Sequence, residues 1–211
     1  MIAIIDYDAG NIKSVEKVLQ HLGQEAVITK DRDVILSSDK VILPGVGSFG
    51  DAMGKLRKYK LDQVIYDVVD KKIPFLGICL GLQLLFESSE ETPGVTGLGL
   101  LKGKILRIPD CDGLKIPHMG WNSIEIKEGS RLFTGIPNQS YVYFVHSYAA
   151  VPRQENLVAW AEYGEQVPAL VWDGACCYGA QFHPEKSGET GLMILRNFAD
   201  LCQDAARRKK E

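Results

Sequence analysis

Four short apolar runs near the start of the chain, at residues 2–5, 26–28, 41–43 and 74–78, constrain the fold more than any other feature. The first ends in Asp6 and a Gly10-Asn11 break, after which Ile12, Val15, Val18, Leu19 and Leu22 recur at helical spacing. The third is closed by Pro44-Gly45. A second helical pattern, through Val64, Ile65, Val68 and Val69, precedes the fourth. Apolar strands interleaved with helices predict a mostly parallel central sheet covered on both faces, an α/β fold.

From Lys102 onward the pattern changes. Strand-like runs at 105–108, 123–126, 141–145, 157–163, 169–172 and 176–182 are separated by turn residues such as Asp112-Gly113 and Asp173-Gly174. They predict an antiparallel or mixed extension of the sheet. A final helix carrying Leu192, Leu195, Ala199 and Cys202 on one face is expected to pack back on it. The expected organisation is a single domain over 1–205 followed by a charged tail at 206–211.

A formal net charge of −3 gives no electrostatic footprint for nucleic acid, and the basic run Arg207-Arg208-Lys209-Lys210 reads as a solvated tail. Five cysteines, Cys79, Cys111, Cys176, Cys177 and Cys202, form no CxxC pair, so neither a disulfide framework nor a zinc ribbon is expected. The first strand lacks a basic leader, and no apolar run approaches the ~18 residues of a membrane helix. A cytoplasmic protein without metal or cofactor is the expectation.

The candidate chemistry begins at Gly77-Ile78-Cys79-Leu80-Gly81, the G-x-nucleophile-x-G form of an elbow between strand and helix. Side chains at 77 and 81 would block the turn, so the glycines are a steric requirement, and the central residue is pushed into a sparsely populated backbone conformation. A free thiol is mostly protonated at neutral pH, and a helix N-terminus with a nearby His favours the thiolate, so Cys79 needs a His partner to serve as a nucleophile. The competing reading, Cys79 as a small core hydrophobe, is the commoner fate of a free cysteine.

Four histidines are available as partner: His21, His118, His146 and His183. His21 falls on the polar side of the first helix. His183 follows a strand in Gln181-Phe182-His183-Pro184-Glu185, and in an extended segment residues i and i+2 share a side, so Glu185 is expected to orient the imidazole. An ordinary strand-end turn is the alternative for this segment. Pro44-Gly45-Val46-Gly47-Ser48 lacks the Gly-Lys-Ser/Thr of a phosphate loop. With Cys79 as nucleophile, the backbone N–H groups of Val46 and Gly47, joined by that of Leu80, are expected to hold an oxyanion.

The elbow and the Phe182-His183-Pro184-Glu185 segment resemble the class I, or triad, glutamine amidotransferases. DYDAGNIKS (6–14), LPGVGSFGDAM (43–53), GICLGLQLLFESSEE (77–91), PHMGWN (117–122), YFVHSY (143–148) and FHPEKSGETG (182–191) are similar, within that family, to the glutaminase subunits of imidazole glycerol phosphate synthase. The resemblance runs from about residue 2 to residue 201 and implies a flavodoxin-like α/β fold. It also implies a Cys79-His183-Glu185 triad that hydrolyses glutamine through a thioester, with Gln83, His146, Ser147 and Tyr148 holding the substrate. For His146 a packed core role stands beside the binding role.

The same resemblance implies a heterodimer in which ammonia passes to a cyclase subunit that makes imidazole glycerol phosphate and an aminoimidazole carboxamide ribotide in histidine biosynthesis. Asn11, Met119, Trp121, Tyr143 and Lys186 are the implied contacts, although Met119 and Trp121 also suit a core. Glutaminase subunits of anthranilate, guanylate or pyridoxal phosphate synthases are the alternative, against which PHMGWN and FHPEKSG argue. A non-catalytic protein on the same fold is a third reading.

Overall fold

A computed structural model describes residues 1–127 and 129–201. The tail at 206–211 and Cys202, expected on the face of the last helix, lie outside the described residues. The first half alternates as expected: β1 (Ile2–Ile5), α1 (Ile12–His21), β2 (Ala26–Thr29), α2 (Arg32–Ser37), β3 (Lys40–Gly45), α3 (Phe49–Lys58), α4 (Leu61–Asp70), β4 (Phe75–Cys79) and α5 (Leu80–Gln83). The second half carries β5 (Ser88–Ser89), β6 (Gly103–Arg107), β7 (His118–Ser123), β8 (Glu125–Ile126), β9 (Tyr141–His146) and β10 (Tyr148–Pro152). It closes with β11 (Leu157–Glu162), β12 (Gln166–Trp172), β13 (Cys177–Ala180) and α6 (Gly188–Asp200).

The main sheet has the order β2-β1-β3-β4-β13-β12-β11-β8. Its first five strands pair in parallel and its last three antiparallel. The order β2-β1-β3-β4 is flavodoxin-like, and in such sheets sites form beyond the carboxyl ends of the strands. Alternation along β1 shows why both faces are apolar: Ile2 and Ile4 enter the layer under α1 and α6, whereas Ala3 and Ile5 enter the layer under α3 and α4. α2, not expected from periodicity, is set by Asp31, whose carboxylate accepts the N–H groups of Asp33 and Val34.

Three expectations need correction. The second-half runs do not all extend the main sheet: β10-β6-β5 form a separate sheet and β7-β9 a two-stranded ribbon. The run expected at 123–126 breaks at Ile124, whose buried side chain and main-chain bonds to Ser140 and Gln139 turn the chain from the ribbon into the main sheet. The helix after the elbow, expected from the helix-like run Leu82-Gln83-Leu84-Leu85-Phe86, stops at Gln83. From there Leu84 and Phe86 carbonyls accept Leu98 and Gly99 N–H groups, and Glu87 N–H donates to Gly103 O, drawing the chain away.

Candidate active site

Cys79 ends β4 with φ 54 and ψ −108, outside the usual basins of a non-glycine residue. The elbow glycines explain how this is held. A Cβ on Gly77 would lie 2.5 Å from the Gly81 carbonyl oxygen, and one on Gly81 would lie 1.9 Å from that of Leu43. Gly45, at the end of β3, pairs with Cys79 across the sheet. Strain is thus imposed on Cys79 by two backbones that only glycine lets approach.

His183 follows β13, and its Nδ1 lies 2.7 Å from Glu185 Oε1, with both side chains essentially excluded from solvent. The reason differs from the one expected. Pro184–Lys186 is a 3-10 turn rather than an extended segment, and it is the turn, entered through Pro184, that swings Glu185 back under the imidazole. The other ring nitrogen, Nε2, is buried without a hydrogen-bond partner. Burial opposes a charge on His183, yet the Cys79 sulfur and the Glu185 carboxylate outweigh it and raise the imidazole to about 9.

Cys79 and His183 line one cavity of about 300 Å³, together with Val46, Gly47, Leu80, Gln83, His146, Ser147 and Tyr148. That volume is at the small end of ligand pockets. Every residue expected for the triad, the oxyanion segment and the substrate is therefore at this cavity or, for Glu185, directly behind it. His21 is exposed on α1 and does not line this cavity.

His146 resolves toward packing. Its Nδ1 lies 2.9 Å from Tyr148 O and must carry the proton, so Nε2 accepts, at 3.0 Å, from His118 Nδ1. His118 Nε2 then accepts from Asn122 Nδ2, and the ring stacks between Phe144 and Tyr163. Burial lowers His146 to about 3 and His118 to about 4, so both are neutral. His146 forms part of the cavity wall with both nitrogens already engaged.

Gln83 is equally constrained. Its Nε2 donates to Tyr148 O at 2.9 Å and to Gln181 Oε1 at 3.1 Å. Gln181, a residue that no motif singles out, places its own Nε2 3.8 Å from Cys79 Sγ. The thiol also faces Val145 O at 3.9 Å. Gln181 is wholly buried, and nothing in the local sequence marks its contact with Cys79. Glu91, a further cavity residue, accepts the Phe49 N–H at 2.7 Å and fixes the start of α3 after the Pro44-Gly45-Val46-Gly47 segment.

Four of the expected contact residues, Met119, Trp121, Tyr143 and Lys186, lie on the β7-β9 ribbon and the turn after His183. Met119 and Trp121 on β7 are 61% and 55% exposed, which retires the core reading for both. Trp121 meets Tyr143 of β9 edge to face, with ring centroids 6.0 Å apart. Lys186 is exposed on the turn beside them, and His183 N–H donates to Tyr143 O. Asn11 precedes α1 and reaches the same turn from the α1 side, with its side-chain amide on Glu185.

The cavity thus places a strained cysteine beside a histidine oriented by a carboxylate, the arrangement that thiol chemistry would require. A family model described as glutamine amidotransferase class-I matches residues 3–201, and the chain belongs to that family. It is 48% identical over 201 residues to the imidazole glycerol phosphate synthase subunit HisH of Methanocaldococcus jannaschii, covering 95% of this chain and 100% of the relative. It is 52% identical over 203 residues to the subunit of the same name from Bacillus cereus strain G9842, covering 96% of each. A chain of PurLQS from Thermotoga maritima has the same fold, with TM-score 0.73 at 21% identity over 94% of this chain and 97% of that one. Among the described residues no helix is long and apolar enough to cross a membrane, and no cluster of three or more His, Cys, Asp or Glu is placed to hold a metal.

Proposed function

We propose that this chain is the glutaminase subunit of an imidazole glycerol phosphate synthase. It hydrolyses L-glutamine to glutamate and hands the ammonia to a cyclase subunit that makes imidazole glycerol phosphate and an aminoimidazole carboxamide ribotide in histidine biosynthesis. Identity near 50% over nearly the full length of the HisH relatives supports the assignment. The observation that carries the chemistry is His183, bonded to Glu185 at 2.7 Å through one nitrogen and sharing a cavity with Cys79.

In this reading the Cys79 thiolate attacks the side-chain amide carbon of glutamine. The carbonyl π electrons move to oxygen, and backbone N–H groups at Val46 or Gly47 and at Leu80 receive the oxyanion. His183, as imidazolium, protonates the departing nitrogen, the C–N bond breaks, and ammonia leaves a γ-glutamyl thioester. Neutral His183 then takes a proton from water, whose oxygen attacks the thioester; collapse releases glutamate and restores the thiolate and the imidazolium. Glu185 supports the charge on the ring in both steps. Gln83, Ser147 and Tyr148 wall the substrate, and His146 shapes that wall.

Direct transfer matters because ammonia released to water at neutral pH is protonated and loses its nucleophilicity. The exposed Met119-Trp121-Tyr143 face with Lys186 beside it is the proposed cyclase contact, since apolar residues of that size suit an interface core. The test is the glutaminase rate of the purified chain with and without the cyclase and its ligand. Turnover that rises on assembly supports the reading; background turnover in both conditions removes it.

A further inference from the structure

Asn11 stands directly before α1, where an Asn commonly caps a helix, but its side chain makes no capping bond. It sits instead in the left-handed region at φ 69 and ψ 0 and sends Nδ2 across to Glu185 Oε1, 174 residues away in sequence. That oxygen is also the acceptor for His183 Nδ1 at 2.7 Å. The second oxygen, Oε2, is buried without a partner. A buried carboxylate needs donors to stay fixed, and Asn11 supplies one from outside the His-Pro-Glu segment.

The turn that carries Asn11 is itself held firmly. Asp8 lies at φ 62, and its carboxylate receives Lys30 Nζ at 2.7 Å and the Tyr59 hydroxyl, while its carbonyl receives Lys55 Nζ at 3.0 Å. Gly10 packs so close to the oxyanion segment that a Cβ there would lie 2.9 Å from Val46 Cγ2. Two non-glycine residues at positive φ within one short turn mark a conformation imposed by its surroundings.

We infer that Asn11 is a positioning residue for the reaction, its amide holding the Glu185 carboxylate in line with His183 instead of capping α1. The inference rests on the Cys79-His183-Glu185 reading of the site. It differs from the contact role implied by resemblance, because Asn11 acts here within the chain.

Two substitutions separate side chain from backbone. Asn11→Gly keeps the left-handed conformation open and deletes the donor; Asn11→Asp keeps the shape and replaces the donor with a carboxylate facing Glu185. In the assembled synthase, both are expected to lower kcat for glutamine between about 10- and 100-fold, with KM within about twofold and the ammonia-dependent rate unchanged. A second readout needs no substrate: the pH dependence of iodoacetamide alkylation, followed at the Cys79 peptide by mass spectrometry. Among the described residues the titratable groups that interact with His183 are Cys79, Glu185 and neutral His146, and buried Tyr7 faces Cys79. Loosening Glu185 should therefore depress Cys79 alkylation on the acid side of neutrality.

Unchanged kcat and an unmoved alkylation profile in either folded variant would overturn the inference. So would a kcat loss matched by loss of the ammonia-dependent rate with the alkylation profile intact, since that pattern reports only a weakened complex. If the unsubstituted chain failed to hydrolyse glutamine, the functional reading would fall, and the alkylation profile would still decide whether Asn11 acts on the Cys79-His183 pair.

Discussion

His183 Nδ1 lies 2.7 Å from Glu185 Oε1 across a single proline, and the carboxylate side chain is sealed from water behind the imidazole. Cys79 and Glu185 together raise His183 to about 9 from an ordinary value of 6.5, so in the proposed mechanism the imidazolium that expels ammonia persists through neutral pH. Glutaminase activity is expected to decline as pH rises through about 9. Glu185→Gln should move that decline to lower pH and reduce kcat by roughly 10²- to 10⁴-fold, read from the pH profile of the assembled enzyme.

The same shift has a stability counterpart. A histidine whose folded value is raised binds its proton more tightly in the native state, so its contribution is fully present below about 6.5 and lost as pH rises through about 9. Urea denaturation of the native chain should show stability falling over that window. The fall should be smaller in Glu185→Gln, which removes part of the shift.

Gly81 has no room for a side chain. A Cβ would lie 1.9 Å from Leu43 O, which is locked in β3, so Gly81→Ala must move the elbow itself. Gly23, at φ +72, has nothing within 4 Å of the same atom, so Ala there meets only backbone strain. Gly23→Ala is expected to cost about 1 kcal/mol and Gly81→Ala about 3 kcal/mol or more, measured by urea denaturation.

Much of this was legible because it follows from steric rules. Strands buried on both faces must be apolar runs, which made β1, β3 and β4 readable, and the elbow needs glycine at 77 and 81 whatever surrounds it. β7 was not legible: His-Met-Gly-Trp-Asn-Ser lacks β-branched residues, and its strand character comes from pairing with β9, His118 opposite His146 and Trp121 opposite Tyr143. Glu185 was correctly linked to His183 through the wrong local geometry, because only the folded chain shows the 3-10 turn. Gln181 and Asn11 were opaque for a common reason. Their partners, Cys79 and Glu185, are distant in sequence, and no local pattern encodes such a contact.

Gln181 reaches Cys79 Sγ at 3.8 Å while accepting from Gln83. A long bond to sulfur is weak, so its removal should be felt modestly. Gln181→Met is expected to slow iodoacetamide alkylation of Cys79 at neutral pH by about three- to tenfold, with little change in secondary structure by circular dichroism. An unchanged alkylation rate would assign Gln181 to packing alone.

Trp121 is 55% exposed and touches Tyr143 at the ribbon edge, so it supports little of the core. Trp121→Ala should change stability by no more than about 0.5 kcal/mol while weakening cyclase binding by about 2 kcal/mol or more. Titration calorimetry against the cyclase, paired with a melting curve of the free chain, reads both quantities.

The most direct measurement is made on Cys79→Ser reconstituted with the cyclase, assayed with glutamine and separately with ammonium salt as nitrogen source. Loss of glutamine-dependent synthesis with ammonia-dependent synthesis intact is the expected result. Glutamine-dependent synthesis that survived the substitution would contradict Cys79 as the nucleophile and, with it, the assignment of this cavity as the glutaminase site.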